Sequence, residues 1–127
     1  MGTLINSCPM VLIADDEEDL LLLMTNRLSK DGFRVVVSPN GENIQEMARS
    51  LHPDIILLDI SKNGKNGSDI CNKLKANLFT NNIPIVMFSA NDDIDKITKA
   101  CGADGWLAKP FNPIIMEQKL IELLDRA

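Results

Sequence analysis

The chain is poor in the residue types from which metal and thiol sites are built. Its 127 residues include no tyrosine, one tryptophan, a single histidine at His52 and three cysteines at Cys8, Cys71 and Cys101. The cysteines are far apart and form no CxxC pair, so a zinc or disulfide framework is not indicated. We expect reduced thiols. His52 precedes Pro53 in a predicted loop, where a solvated residue without a catalytic role is expected.

The sequence also lacks long apolar runs and an excess of positive charge. No run approaches the roughly 18 apolar residues that a membrane span needs, and the N-terminus lacks the pattern of a secretory signal. Met1-Gly2 is followed by Asn6 where a myristoylation signal requires Ser or Thr. The net charge of −5 argues against direct binding to nucleic acid or anionic membranes. We therefore expect a cytoplasmic protein in which residues 1–127 form one domain.

Short apolar segments alternate with helical patterns five times along the chain. The predicted strands are Met10–Ala14, Phe33–Val37, Asp54–Leu58, Ile83–Phe88 and Trp106–Ala108. Helices are predicted between and after them, the first over Glu18–Lys30 and the fourth over Asn91–Cys101. Strands that alternate with helices indicate a parallel sheet covered on both faces, that is, an α/β domain.

The spacing of apolar residues predicts which side of each helix faces the sheet. The predicted inward positions, helix by helix, are Leu20, Leu23, Met24 and Leu28; Ile44, Met47, Ala48 and Leu51; Ile70, Leu74 and Leu78; Ile94, Ile97 and Cys101; and Ile115, Met116, Leu120, Leu123 and Leu124. The fourth helix has the thinnest apolar face. Gly102 is expected to end it, and Asn112 is expected to cap the last helix, with Pro113 at its first position.

Polar groups follow four of the five predicted strands. Asp15 and Asp16 follow the first strand, Asp59 the third, Ser89 the fourth and Lys109 the fifth. In an open parallel sheet the carboxyl ends of the strands share one edge, and ligands bind there. Each residue alone has an ordinary explanation, such as a turn or a helix start, but their joint placement indicates a site.

The chemistry of this set favours phosphoryl transfer. Crowded carboxylates repel one another, and oxygen ligands without histidine or cysteine favour a hard cation, Mg²⁺ or Mn²⁺. Asp59 can accept a phosphoryl group covalently. A lysine can balance charge or hold a phosphoryl oxygen, and a serine hydroxyl can donate to another such oxygen.

The sequence resembles the receiver domain of response regulators in two-component signalling. The stretches VLIADDEEDL, PDIILLDI, PIVMFSA and GADGWLAKPF carry the resemblance, and their order and separation match the family over almost the whole chain. The resemblance implies a flavodoxin-like, doubly wound, five-stranded parallel sheet of order 2-1-3-4-5 with five helices; receivers are a standard example of that order.

The resemblance also implies a role for each site residue. Asp59 would be the phospho-acceptor, and Asp16 would bind Mg²⁺ directly, with Asp15 helping through water and the backbone carbonyl of Ser61 completing the protein ligands. Lys109 would contact the phosphoryl group, and its bond to Pro110 would be cis. Ser89 and Trp106 would be the switch hydroxyl and the switch aromatic residue. It leaves open whether the indole of Trp106 starts inward or outward.

The implied partners are a histidine kinase or phosphotransfer protein as phosphate donor and a target or fused output domain of unknown identity. The surface of helix four, strand five and helix five would bind that target or a second copy in a phosphorylation-linked homodimer. The domain would promote only its own phosphorylation and dephosphorylation, and so is not expected to be an enzyme acting on other substrates.

The loop after Asp59 departs from the family pattern. Its sequence SKNGKNGSDI has Asn63 and Asn66 where the family often has a proline and an Asp-Gly pair, and Lys62 and Lys65 make it basic. Its glycines do not form the GxxxxGK[ST] phosphate-binding pattern. We expect a flexible turn.

Three other functions fit less well. An aspartyl-phosphate phosphatase requires a second acid two residues after the nucleophile, where this chain has Ser61. A flavodoxin requires a hydroxyl-rich phosphate loop after the first strand, where this chain has acids. The main alternative is a receiver fold that acts as a constitutive protein-interaction module without phosphorylation, but all the expected groups are present.

Overall fold

Five strands form one parallel sheet at the centre of the molecule. The computed structural model describes residues 8–15, 17–38, 43–59, 61–62, 65–90 and 93–126. Counting only the strands of the main sheet, they are β1 (Met10–Ala14), β2 (Arg34–Ser38), β3 (Ile55–Asp59), β4 (Ile85–Ser89) and β5 (Gly105–Ala108). Their order across the sheet is β2-β1-β3-β4-β5, and every neighbouring pair is parallel.

Five helices cover the two faces of the sheet. They are α1 (Glu18–Lys30), α2 (Ile44–Leu51), α3 (Gly67–Ala76), α4 (Ile94–Cys101) and α5 (Pro113–Arg126). One core cluster contains buried residues of α2, α3 and α4, and the other contains buried residues of α1 and α5. Alternate residues of each strand face opposite clusters; in β1, Leu12 belongs to the first and Ile13 to the second. None of the helices in the described part of the chain combines the length and apolar character needed to cross a lipid bilayer.

The predicted fold class and strand order are confirmed, and the differences lie in the bounds. β3 ends on Asp59 and β4 on Ser89, so both polar residues belong to the strands they were expected to follow. Asn112 Oδ1 accepts a hydrogen bond from the backbone N–H of Ile114 at 2.7 Å, and Pro113 opens α5, as predicted. Gly102 ends α4 in the left-handed conformation, with φ of 82°. Asn91 lies outside the described residues.

The predicted third helix was wrong at its end. α3 stops at Ala76, and Leu78 is 87% exposed rather than buried. The Asn77 side chain accepts a hydrogen bond from the backbone N–H of Phe79 at 2.8 Å, which favours a turn over another helical residue. Thr80 and Ile83 are buried beside the end of the helix instead.

Three other predicted inward positions are exposed. Leu23 is 49%, Leu51 42% and Ile115 52% exposed. In α1 the buried residues are Met24 and Leu28, and each helical residue is rotated by about 100° from the one before it. A run of adjacent leucines therefore leaves some of them in solvent, and Ile115 lies outside the buried face of α5 for the same reason.

The loop after Asp59 contains an antiparallel hairpin rather than an unstructured turn. Ser61–Lys62 pairs with Lys65–Asn66, with Lys62 opposite Lys65. Asn63 and Gly64, which lie between the two segments in the sequence, are outside the described residues. The expectation of a flexible turn is therefore corrected for the four paired residues.

At the opposite edge of the sheet, Lys75 joins three parts of the chain. Its ammonium nitrogen lies 2.9 Å from Asp104 Oδ2 and donates to the backbone carbonyls of Ile83 at 3.0 Å and Asn81 at 3.3 Å. Asp104 Oδ2 also accepts the backbone N–H of Ile85 at 2.8 Å. These contacts fix the segment that follows α4 to the end of α3 and the start of β4.

Two buried threonines should respond oppositely to the same substitution. Thr80 Oγ1 donates to the carbonyl of Leu74 at 2.7 Å. Thr80→Val removes this donor and leaves the Leu74 carbonyl with only the longer hydrogen bond from the backbone N–H of Asn77 at 3.4 Å, so we expect the free energy of unfolding to fall by about 0.5–1.5 kcal/mol. Urea denaturation followed by circular dichroism measures the change.

Thr98→Val is the matched comparison. Within the described residues, the buried Thr98 Oγ1 has no hydrogen-bond partner. A valine of nearly the same shape removes that desolvated hydroxyl, so stability should stay the same or rise by about 1 kcal/mol. Equal losses in the two variants would show that burial of the side chain, and not its hydrogen bond, decides the result.

Candidate functional site at the carboxyl edge of the sheet

The register of the strands brings the predicted site residues together. Ala14 pairs with Leu58, so Asp15 is level with Asp59 at the ends of neighbouring strands. Ser89 pairs with Ala108, and the backbone N–H of Lys109 donates to the carbonyl of Ser89 at 2.8 Å. The parallel sheet thus places Asp15, Asp59, Ser89 and Lys109 at one edge, as the sequence predicted.

The ammonium group of Lys109 lies among three carboxylates. Its Nζ is 3.3 Å from Asp15 Oδ2, 3.4 Å from Glu17 Oε1 and 3.7 Å from Asp59 Oδ1. The side chains of Asp15 and Asp59 are 0% and 5% exposed, whereas that of Glu17 is 51% exposed. Two buried carboxylates and one exposed carboxylate therefore share one largely buried cation.

Aromatic rings pack against one side of the Lys109 side chain. Lys109 Nζ lies 5.0 Å from the centre of the Phe88 ring, within the range of a cation–π contact. Phe88 in turn meets Phe111 edge to face, with ring centres 5.8 Å apart. These contacts hold the aliphatic stem and the ammonium group on the acidic side of the edge.

The charges around Lys109 keep it cationic. Burial of the ammonium group lowers the pKa of Lys109, but the negative charges of Asp15 and Asp59 and hydrogen bonds to Asp15 and Glu17 outweigh burial, so the pKa is raised above its ordinary value. Lys109 therefore carries a full positive charge throughout the physiological pH range.

The two predicted switch residues differ in exposure. Ser89 is buried at the end of β4, with 6% of its surface exposed. Trp106 lies on the edge strand β5, opposite Met87, and is 41% exposed. The indole therefore starts partly in solvent, which resolves the orientation that the sequence left open.

Two of the expected metal ligands are described only in part or not at all. Asp16 lies outside the described residues, and Ser61 is described as part of the short hairpin directly after β3. Within the described ranges, no three His, Cys, Asp or Glu side chains come close enough to hold a metal ion. The Lys109–Pro110 peptide bond is cis, as expected.

The donor chemistry at this edge fits a hard divalent cation. Asp15 and Asp59 supply carboxylate oxygens that converge on one ammonium group. His52 ends α2 at the far edge of the sheet. Cys71 on α3 and Cys101 on α4 are both buried. Burial is the main reason that the pKa of the Cys71 thiol is raised, and its hydrogen bond with Cys101 raises it further. An all-oxygen set with neither histidine nor thiolate is the set that Mg²⁺ and Mn²⁺ bind.

Comparison with known proteins agrees with the geometry. The family model described as the response regulator receiver domain matches residues 11–121. The chain belongs to the response-regulator receiver family. Over 91% of its length the receiver superposes on the chemotaxis protein CheY4 of Vibrio cholerae, with a TM-score of 0.84, 24% sequence identity and 98% of that chain covered.

Two curated relatives are longer proteins. The chain is 30% identical over 119 residues to the alkaline phosphatase synthesis transcriptional regulatory protein PhoP of Bacillus subtilis, covering 92% of the receiver and 49% of PhoP. It is 35% identical over 105 residues to the DNA-binding response regulator MtrA of Mycolicibacterium paratuberculosis, covering 81% of the receiver and 45% of MtrA. The chain thus spans about half the length of the curated relatives it matches.

Sequence reasoning did not identify three residues of the receiver that contact Lys109 or support it. In the sequence Glu17 is one of five consecutive acids, from Asp15 to Asp19, that are typical of a helix start. Phe88 is the last residue of the fourth predicted strand, and Phe111 lies in a stretch that carries the resemblance. Phe88 precedes Ser89 and Phe111 follows Lys109-Pro110 within the quoted stretches, so their proximity to the site was readable. The contact of Glu17 depends on its side-chain direction, which no sequence pattern gives.

Replacement of Lys109 by methionine tests its electrostatic role in the fold. Lys109→Met leaves three carboxylates without their shared cation, so we expect the unfolding free energy at pH 7 to fall by about 1–3 kcal/mol. The raised pKa means that protonated Lys109 stabilises the folded state below its ordinary pKa near 10.5 and that this contribution is lost above it.

The difference between wild type and Lys109→Met should therefore stay constant from about pH 7 to 9 and shrink only above about pH 10.5. Denaturant titrations across this range measure it. A difference that vanishes already below pH 9 would assign the stabilising charge to another group.

Proposed function

We propose that this receiver accepts a phosphoryl group on Asp59 and switches its protein-binding surface in response. The observation that carries the proposal is the convergence of the Asp15 and Asp59 carboxylates within 4 Å of the Lys109 ammonium nitrogen, at the edge of the sheet where ligands of this fold class bind. The family match and the resemblance to longer regulators support a signalling role over an enzyme that acts on other substrates.

Asp59 is the group that would react. A carboxylate oxygen of Asp59 attacks the phosphorus atom of a phosphohistidine or an acyl phosphate, and the bond from phosphorus to the donor nitrogen or oxygen breaks. The new bond is a mixed anhydride between the aspartate and phosphate. The end of a buried strand fixes the carboxylate, so little reorganisation is needed for attack.

Lys109 and Ser89 would stabilise the product. The ammonium group, held 3.7 Å from Asp59 Oδ1, is placed to donate to a phosphoryl oxygen on that residue. Ser89 ends the neighbouring strand, and its hydroxyl would donate to a second phosphoryl oxygen after a movement of the β4–α4 connection. That movement would vacate space beside Trp106, which is the basis of the proposed switch.

Mg²⁺, or Mn²⁺ in its place, would be held by Asp15, Asp16, Asp59 and the backbone carbonyl of Ser61. When bound, the ion neutralises charge on the acids and on the phosphoryl group.

The surface formed by α4, β5 and α5 would carry the output. α4 buries Ile94, Thr98 and Cys101 and packs against α3, β4 and β5, so a rearrangement of α4 would be passed on to this surface. The phosphate donor would be a histidine kinase or phosphotransfer protein. The partner on this surface would be a target protein, a fused output domain or a second receiver in a homodimer, within the cytoplasm.

The phospho-acceptor assignment predicts a single, metal-dependent mass change. Intact mass spectrometry after incubation with acetyl phosphate and Mg²⁺ should show one added phosphoryl group, and removal of the metal with a chelator should prevent it. Asp59→Asn should take up none, because it lacks the attacking carboxylate.

Asp54→Asn is the matched control, since Asp54 precedes the same strand at its other end and its side chain accepts the backbone N–H of Met10 at 2.7 Å. It should be phosphorylated like wild type. Equal phosphorylation of Asp59→Asn, or none in wild type, would contradict the assignment and favour a constitutive interaction module.

The switch assignment predicts an optical signal from Trp106. Because it is the only tryptophan and the chain has no tyrosine, its emission reports one site. Phosphorylation should change the emission or the access of a quencher such as iodide, because the partly exposed indole moves. Ser89→Ala should reduce this change while Asp59 still accepts phosphate, as intact mass would verify. An unchanged emission in fully phosphorylated protein would remove Trp106 from the switch.

A further inference from the structure

Glu17 is the exposed member of the group of acids around Lys109. Its Oε1 lies 3.4 Å from Lys109 Nζ, about as close as Asp15 Oδ2 at 3.3 Å and closer than Asp59 Oδ1 at 3.7 Å. Glu17 immediately precedes α1, and its backbone N–H donates to Asp15 Oδ1 at 3.3 Å, which fixes the backbone of the residue beside the site. In the receiver without phosphate, Glu17 therefore accepts one of the hydrogen bonds that the Lys109 ammonium group donates.

We propose that Glu17 competes with the phosphoryl group on Asp59 for the ammonium group of Lys109 and thereby weakens the hold of the receiver on that group. This inference rests on the proposed function of Asp59 and Lys109. It assigns to Glu17 a positioning role that acts through Lys109, and it makes the lifetime and occupancy of the phosphorylated state depend on a residue outside the acceptor and metal ligands.

The competition follows from the charges. Lys109 lies within 4 Å of all three acids, and phosphorylation of Asp59 adds further negative charge beside it. A lysine ammonium has three N–H donors. Before phosphorylation Lys109 donates to Asp15 and Glu17, and Asp59 Oδ1 lies farther away at 3.7 Å. A phosphoryl group that recruits more than the donor facing Asp59 must therefore displace Asp15 or Glu17.

Exposure decides which carboxylate gives up its contact. Asp15 is fully buried, and separating a buried carboxylate from its cation is costly because water does not replace the lost interaction. The Glu17 side chain is 51% exposed, so water solvates its carboxylate as soon as the contact breaks. Glu17 is therefore the partner that Lys109 releases.

Removal of the charge of Glu17 should strengthen phosphoryl binding through two effects, both of which favour binding. It frees an N–H donor of Lys109, and it removes a negative charge that repels the phosphoryl group. Because the carboxylate is half exposed, the gain is that of a surface pair, roughly two- to fivefold in affinity.

The test uses beryllofluoride, a tetrahedral mimic of a phosphoryl group on a carboxylate, with the full chain at saturating Mg²⁺. Saturating metal is required because a loss of negative charge also weakens attraction of the cation. Fluorine NMR counts bound and free beryllofluoride directly and requires no turnover. Glu17→Gln should bind it roughly two- to fivefold more tightly than wild type at low salt.

Glu18→Gln is the matched control. It removes the same charge from the next residue, which is exposed and makes no ion pair within the described part of the chain, and it should bind like wild type. Glu17→Asp keeps the charge on a shorter side chain and should lie between wild type and Glu17→Gln. At about 1 M salt, where screening shortens electrostatic interactions to about 3 Å, the gain of Glu17→Gln should shrink.

The outcomes separate this inference from the proposed function. If wild type binds beryllofluoride and Glu17→Gln binds it equally or more weakly, the competition is refuted and the phospho-acceptor role stands. An equal gain in Glu18→Gln would refute it too, because the effect would then be one of overall charge. If wild type does not bind beryllofluoride with Mg²⁺, the proposed function fails, and this inference fails with it.

Discussion

The ammonium group of Lys109 holds together the carboxyl edge of the sheet in this receiver. Lys109 comes from the end of the last strand, yet its nitrogen contacts acids at the ends of the first and third strands. Without a cation there, two buried carboxylates would repel each other across neighbouring strands. The same lysine is the donor that a phosphoryl group on Asp59 would require. Its location therefore serves both the integrity of the fold and the proposed chemistry.

The sequence predicted the fold and the grouping of four candidate site residues because both depend on regular features. Alternation of short apolar strands with helical patterns indicated a parallel sheet. A parallel sheet brings the carboxyl ends of its strands to one edge, so Asp15, Asp59, Ser89 and Lys109 could be grouped without coordinates. The strand registers that make Asp15 level with Asp59 and Ser89 adjacent to Lys109 follow from that same regular geometry.

The features that escaped prediction depend on side-chain direction and local competition. Leu23 and Ile115 belong to apolar runs, and composition does not tell which members of a run face the sheet. Leu78 fits the helical spacing, but the Asn77 side chain forms a turn that ends the helix before it. Glu17 looked like one more acid at a helix start, although its contact with Lys109 distinguishes it from Glu18. At Leu78 and Glu17 the hydrogen bond of a single side chain decides the local structure, whereas at Leu23 and Ile115 the rotation of the helix decides it.

The attachment of Lys75 to Asp104 gives α4 unequal ends. Just after its last turn, the chain is bound to α3 and to β4 through one ammonium group, one carboxylate and three backbone groups. The other end of the helix begins at Ile94, five residues after Ser89 in the sequence, on the side of the sheet where the proposed switch would act. If the proposed switch displaces the start of α4, these contacts would hold its end near Gly102, and the helix would pivot about that point. The displacement of α4 would then be largest at its start, on the side of Ser89, and smallest at its end, beside Gly102.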